Sequence, residues 1–292
     1  MMREDFCAFI LTHGRPDRVK TYGTLRRSGY TGKIYIVIDD EDKTEADYRQ
    51  RYGAEVLQFC KADIANTFDE GDNFDDRRAI IYARNACWDL AKQVGCRYFI
   101  QLDDDYSNFA LRYRSDGSGL YQAIHKSLNE VFETLVVFLS LTKTLTVAMC
   151  QGGDLIGGTN HKTVTMKRKA MNSFVCDSEK PFNFFGRINE DVNTYVSTGN
   201  KGGLFFTTMQ AQLVQSNTQT NTGGMSDIYL ESGTYIKTFY SVMYAPSCVK
   251  VSLFGDPGRW KNAHYRIHHK IDWQKTVPKI IRETHRKASA HG

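Results

Sequence analysis

The run Tyr98-Phe-Ile-Gln-Leu-Asp-Asp-Asp-Tyr106 constrains this chain more than any other. A largely apolar segment, Tyr98 to Leu102, ends abruptly in three carboxylates, Asp103, Asp104 and Asp105. A strand interior tolerates such a cluster poorly, whereas the C-terminal end of a strand is where open α/β sheets bind ligands. Adjacent carboxylates repel one another unless a cation neutralises them. Hard oxygens suit Mg²⁺ or Mn²⁺, whose other positions go to water and phosphate. Asp103 and Asp105, two apart, can point the same way from an extended strand end, which leaves Asp104 for a sugar or ribose. The pattern points to a metal–diphosphate site. The plain alternative is a helix N-cap cluster, and Ser107 to Gly119 shows no strong helical period to support it.

The segments before this run have the alternation of an α/β sheet. Phe6 to Leu11 reads as a buried strand, Asp17 to Ser28 as a helix stopped by Gly29, and Lys33 to Ile38 as a second strand. A helix over Glu45 to Tyr52, closed by Gly53, a strand over Glu55 to Phe59 and a helix over Arg77 to Val94 follow. Asp63 to Asp76 reads as a loop. This order implies a mainly parallel sheet with helices on both faces. Farther on, the spacing predicts a helix over Leu120 to Leu141, a strand over Thr144 to Gln151 and an edge strand over Val164 to Arg168. It also predicts a helix after Asn189-Glu190-Asp191, a strand over Leu204 to Gln215, a loop or lid over Gln215 to Ser226 and a helix over Tyr229 to Tyr240.

At 292 residues, 41% hydrophobic and 12% aromatic, the chain can bury a sizeable core. No repeat or linker divides it, so it reads as one domain: residues 1–110 hold the donor and 111–292 the acceptor. The net charge of +5 is unevenly placed. Lys237 to Gly292 carries eleven Lys/Arg against three acids, a net +8, which leaves the remainder near −3. Such a basic quarter suits a polyanion or a solvated surface. Seven scattered cysteines without a C-x-x-C pair argue against a disulfide framework and a zinc site. The charged Met1 to Asp5 is no secretory signal, and Val131 to Met149 is too polar for a membrane span, so a cytoplasmic setting is expected.

Several segments reach the sheet edge that carries Asp103. Thr12-His13-Gly14-Arg15-Pro16 follows the first strand, where backbone amides and Arg15 suit a nucleotide, although no G-x-G-x-x-G is present. Asp39 and Asp40 end the second strand and can accept from a ribose or a base N–H; a solvated turn is the alternative. Arg84 lies on the helix leading into the aspartate strand, within reach of a diphosphate or the aspartates. Asn189-Glu190-Asp191 supplies either a helix cap or a general base for an acceptor hydroxyl. His264 and His268, four apart, could share a helical face and complete a metal shell. Arg259, Lys261, Arg266 and Lys270 suit phosphates.

Taken in order, Thr12-His-Gly-Arg-Pro16, Asp39-Asp40, Tyr82-Ala-Arg-Asn85, Leu102-Asp-Asp-Asp105 and Asn189-Glu-Asp191 resemble the GT-A fold of nucleotide-sugar glycosyltransferases. The resemblance spans Phe6 to Asp191. It implies a Rossmann-like, mostly parallel sheet flanked by helices, with an acceptor-side C-terminal half. It also implies metal binding by Asp105, a base at Asp191 with Glu190 as its competitor, and a C-terminal histidine ligand, His264 being the closest match. More narrowly, the opening Thr-His-Gly-Arg-Pro, the Leu-Asp-Asp-Asp-Tyr run and the Asn-Glu-Asp segment resemble the TET-associated glycosyltransferases of tailed phages. That implies inverting sugar transfer from a nucleotide sugar, UDP-linked by resemblance alone, to 5-hydroxymethylcytosine in double-stranded DNA. The alternatives are a GT-A enzyme acting on a polysaccharide, small molecule or protein, and a nucleic-acid-binding protein whose GT-A core has lost activity.

Overall fold

Every side chain of Phe6–Leu11 is buried, and alternate residues serve two different cores. Phe6, Ala8 and Ile10 face one apolar layer, and Cys7, Phe9 and Leu11 face the other. A strand apolar on both sides needs helices on both faces of its sheet. The computed structural model describes residues 2–74, 76–112, 121–155, 166–215, 233, 235–254 and 266–276. Among them, β1 (Phe6–Leu11), α1 (Lys20–Arg27), β2 (Lys33–Asp39), α2 (Glu45–Tyr52), β3 (Val56–Phe59), α3 (Lys61–Ala65), α4 (Ile81–Gln93) and β4 (Tyr98–Asp103) form the first half. There follow β5 (Tyr106–Arg112), β6 (Tyr121–Ala123), α5 (Leu128–Leu141), β7 (Thr144–Cys150), β8 (Ser173–Asp177), α6 (Glu190–Asn200) and β9 (Leu204–Gln215). The last described elements are α7 (Ile236–Tyr244), β10 (Val249–Phe254) and β11 (Arg266–Ile271).

Nine strands form one sheet in the order β3-β2-β1-β4-β8-β7-β9-β5-β6. The ladders make β8 and β5 antiparallel to their neighbours, and the other seven strands point the same way. The expected mostly parallel α/β architecture is therefore present. From β1 the chain builds outward through β2 to β3, then returns to place β4 on the other side of β1. That reversal opens a crevice beyond the C-terminal ends of β1 and β4, with Leu11 paired directly with Asp103. One face of the sheet is covered by α1, α2 and α5 through Leu25, Tyr48, Leu128 and Phe132. The other is covered by α4 and α6 through Ile81, Cys87, Trp88, Val192 and Val196.

Several segments differ from expectation. Leu120 to Leu141 is not one helix: Tyr121–Ala123 pairs with β5, and α5 starts only at Leu128. The segment from Ser107, which shows no helical period, lies within β5 as far as Arg112 and is held by pairing with β9. Ser173–Asp177, also unassigned from sequence, is a fully buried strand between β4 and β7. Its five residues are too few to show a period, and its partners lie far away in sequence. His268 lies on a strand, so a shared helical face with His264 does not form. The helix expected from Tyr229 runs instead from Ile236 to Tyr244, with 229–232 outside the described residues. Of the expected edge strand, 164–165 lie outside the described residues, and within 166–168 there is one isolated bridge, Lys167 with Thr207. The expected lid, 216–226, lies outside the described residues.

Gly29 closes α1 at φ +88°, and a Cβ there would meet the Lys126 carbonyl at 2.5 Å, just before α5. The Ser28 carbonyl accepts the Leu128 N–H across the same junction. Gly29→Ala is therefore both strained and obstructed. It should lower stability by more than about 1 kcal/mol, read from the urea midpoint at unchanged m-value.

Candidate active site

The aspartate turn is held from three sides. From α1, the Thr21 hydroxyl donates to the Asp103 carbonyl at 2.6 Å and accepts the Tyr106 N–H at 3.0 Å. The Thr21 N–H reaches the Asp104 carbonyl at 3.1 Å. Thr21 thus fixes the backbone that presents all three carboxylates. From the loop after β1, the Thr12 hydroxyl donates to Asp104 at 2.7 Å, and the Arg15 guanidinium lies 2.9 Å from the same oxygen. From the end of β9, the Gln215 amide reaches both Asp105 oxygens, at 3.0 and 3.2 Å. Thr21 and Gln215 are site residues that sequence reasoning missed. Neither carries a charge or motif, and only their contacts reveal them.

The fourth contact crosses the crevice. Arg84 is fully buried, its Nη2 donating to Asp103 at 3.1 Å and its Nε to Glu190 at 3.0 Å. The rings of Phe174 and Phe184 lie 4.9 and 5.9 Å from its guanidinium carbon. Burial alone would depress the arginine, but the charges of Asp103 and Glu190 raise it above its ordinary value. It therefore stays a cation. Its Nη1 is buried without a partner among the described residues. One residue thus joins the aspartate strand to the first turn of α6.

Burial pushes Asp103 up to about 7, against the pull of Arg84, with Asp105, Asp104 and Glu190 adding to the rise. Burial also raises Asp104 and Asp105, the latter further through Asp104. Asp191 is buried too. Desolvation, then the charge of Glu190, push it up to about 6. Its Oδ1 accepts its own helix's Val192 N–H at 2.7 Å, and the charges of Arg84 and Lys237 pull it down by less than burial and Glu190 raise it. Arg84 bonds Glu190 directly and acts on Asp191 only through its charge. The turn before them is set by Asn189, at φ 63°, whose amide donates to Ser241 on α7 at 2.6 Å.

The second crevice wall is a network at the ends of β1 and β2. His13 Nδ1 lies 2.8 Å from Asp39, and Lys61 lies 3.0 Å from the other Asp39 oxygen. His13 is raised by the Asp39 bond. Burial opposes ionisation of Asp39, but His13 and Lys61 hold it below its ordinary value. The Gly14 N–H donates to Asp42 at 2.8 Å, and the Arg15 N–H to Tyr48 at 3.0 Å. Asp40 is turned to α3, accepting the Lys61 N–H at 2.8 Å, so it caps a helix.

Thr12, His13, Arg15, Asp39, Arg84, Asp103, Asp104, Asp105, Glu190 and Asp191 therefore belong to one connected crevice. The C-terminal residues stand apart. Arg259, Lys261 and His264 lie outside the described residues, and of Arg266 only its place opposite Phe254 is described. His268 sits beside His269, ring centroids 4.3 Å apart. Among the described residues no group of three or more His, Cys, Asp or Glu could hold a metal ion, so Asp103, Asp105 and His268 do not form a three-ligand set. Burial lowers His269 to about 4, His268 adding to the effect. Lys270 is exposed on β11. Among the described residues no helix is long and apolar enough to cross a membrane.

The profile of the TET-associated glycosyltransferases matches residues 6–224, which takes in every residue of this crevice. The chain belongs to that family. It is a glycosyltransferase. No curated protein matches it in sequence. Among solved structures, glucosyl-3-phosphoglycerate synthase from Mycobacterium tuberculosis, in complex with Mn²⁺, UDP and phosphoglyceric acid, aligns at 11% identity. That alignment covers 92% of this chain and 87% of the synthase, with a TM-score of 0.43. The same synthase with glucosyl-3-phosphoglycerate aligns at 8% identity over 95% and 89% of the two chains, TM-score 0.43. A mycobacterial protein aligns at 12% identity over 92% and 84%, TM-score 0.43. Overlaps this loose place no residue of the site.

The Arg84 bridge makes a stability prediction. Arg84→Met preserves bulk but leaves Asp103 and Glu190 without their cation. Breaking a buried pair costs about 3–5 kcal/mol, so urea unfolding should show a loss of that order. A loss below about 1 kcal/mol would mean the bridge contributes little.

Proposed function

We propose that this glycosyltransferase moves a sugar from a nucleotide-diphosphate donor to the hydroxymethyl group of 5-hydroxymethylcytosine in DNA, with inversion at the anomeric carbon. The observation that carries the chemistry is the Arg84 bridge. It ties the triple-aspartate turn to the α6 acids and occupies Glu190, while burial and Glu190 hold Asp191 above the ordinary carboxylate range against the pull of Arg84 and Lys237. The acceptor reading is supported by membership of the family and by the excess of positive charge after Lys237. A uridine diphosphate sugar is the first donor to try.

A divalent metal fits the aspartate turn. Three carboxylates raised by burial and by one another gain from a cation. Arg84 takes one Asp103 oxygen, and Gln215 orients Asp105. Asp103 and Asp105 would hold Mn²⁺ or Mg²⁺, with water and diphosphate oxygens as the remaining ligands. When bound, the metal supplies charge neutralisation of the departing diphosphate. The residues of the chain do the rest. Asp104, fastened to Thr12 and Arg15, closes the turn against the nucleotide-side loop. Thr12, His13, Arg15 and Asp39 line the wall on which nucleotide and ribose would lie. Asp191 accepts the proton of the acceptor hydroxyl as its oxygen attacks the anomeric carbon from the side opposite the diphosphate. A single displacement of that kind inverts configuration.

Two measurements test this reading. The protein is incubated with hydroxymethylated DNA and a panel of nucleotide sugars, and released nucleosides are weighed by mass spectrometry. A hexose-sized gain on hydroxymethylcytosine is expected, lost in excess EDTA and in Asp105→Ala; full activity in EDTA removes the metal. Asp191→Asn should keep donor affinity while kcat falls about 10²–10⁴-fold, and NMR should show a β-linked product from an α-linked donor.

The base also sets the pH response. Asp191 works ionised, and burial lifts its carboxyl to about 6. kcat/KM should therefore rise with pH through about 6 and level off above it. A limb centred near 4, the ordinary carboxylate range, would mean that the base is not desolvated as described.

A further inference from the structure

Asp191 is 8% exposed. A base stacked inside a duplex cannot bring its hydroxymethyl group to an acid at that depth, and enzymes that act on a base inside such a site take it out of the stack. The extruded base leaves a gap, which apolar wedges or stacking rings fill in proteins that open DNA.

One surface of this chain has the chemistry for that task. Tyr235, at the N-cap of α7, and Phe239 and Met243 within it recur every fourth residue along one side and are 49%, 48% and 53% exposed. Tyr235 and Phe239 pack edge to face, ring centroids 6.0 Å apart, and so stand as a preformed aromatic pair in solvent. The opposite side of the same helix is anchored at the site: the Ser241 hydroxyl and the Lys237 carbonyl accept from Asn189, two residues before Asp191. The stripe therefore lies about one helix diameter, about 10 Å, from the turn that presents the acid. Phe74, 71% exposed, lies on a loop next to the same helix. Its loop is tied to α7 through Asp72 and the Tyr240 hydroxyl, and a Cβ at Gly71 would meet Met243.

Charge names the occupant. β10 begins four residues after α7, and the hairpin register sets Lys250 directly opposite Lys270, both exposed. Like charges facing each other across an antiparallel pair destabilise it unless an anion lies between or over them. The hairpin packs against α7, so exposed lysines and exposed rings stand on neighbouring elements, as a nucleic acid with phosphates and bases requires.

We propose that the Tyr235–Phe239–Met243 face of α7 is a base-stacking surface that holds the acceptor duplex open while the modified cytosine is turned out toward Asp191. This rests on the DNA acceptor reading above and adds to it the conformation of the acceptor and the residues that stabilise it.

The test compares three acceptors with the full chain: a duplex, the same strand alone, and free 5-hydroxymethyldeoxycytidine. Tyr235→Ser, Phe239→Ser and Met243→Ser are combined in one variant. The ratio of duplex to free-nucleoside rates should fall at least about tenfold, the loss expected of one base–aromatic contact. Each rate is read against the variant's own affinity for donor, so a folding defect shows as lost donor binding. The wild type should also brighten a 2-aminopurine placed beside the target cytosine in the duplex. An unchanged ratio with normal donor binding, or no brightening with the wild type, overturns the proposal. So does a wild-type dimer that the variant abolishes while the ratio stays the same, which would assign the stripe to a second copy of the chain. A wild type that modifies none of the three acceptors overturns the DNA reading and this inference together; one that modifies them with an unchanged ratio overturns only this one.

Discussion

A single buried cation organises the active half of this molecule. Arg84 sits between a carboxylate at the end of β4 and another at the start of α6, with aromatic rings beside it. Without it, Asp103 and Glu190 would be two negative charges facing each other across a dry crevice, a costly arrangement. With it, one anion of each pair of neighbours is bonded directly to the guanidinium. Asp103 is tethered while Asp105 turns to a neutral amide. Glu190 is tethered while Asp191 is left to desolvation. The same guanidinium thus fixes one carboxylate on each side of the crevice.

The sheet explains why these groups meet. β1 and β4 are neighbours because the chain reverses its direction of growth between them, and the crevice at that reversal takes whatever loops the two strands end in. Thr12 and Asp104 touch because Leu11 is in register with Asp103. α1 then locks the turn from outside through Thr21. The second half of the sheet, with β8 inserted antiparallel, carries β9 to the point where Gln215 meets Asp105. Each carboxylate is thereby assigned by a different element.

Membership of the TET-associated glycosyltransferases fixes the class of reaction, and the crevice shows how the residues of this chain would share it. The donor-side contacts are dense and mutually bonded, as a site that must neutralise a diphosphate requires. The acceptor side is more open in composition, with exposed rings on α7 and paired lysines on the hairpin.

The sequence by itself determined the first half of the fold and the chemistry-bearing residues. Buried parallel strands read as unbroken apolar runs, their helices show a helical period, and carboxylates at strand ends are conspicuous. β1, β2, α2, β4 and the Asp103–Asp105 turn were all legible for that reason. It did not reveal β8, β6 or the C-terminal hairpin, because a short strand is defined by its partners, and pairing is a long-range fact. Nor could it say that Arg84 binds Asp103 and Glu190 at once, that Asp40 caps a helix, or that Thr21 and Gln215 hold the aspartate turn. Residue type announces what a side chain can bond. Only the tertiary structure decides which of the available partners is within 3 Å, and burial then decides which carboxylates are raised above their ordinary range.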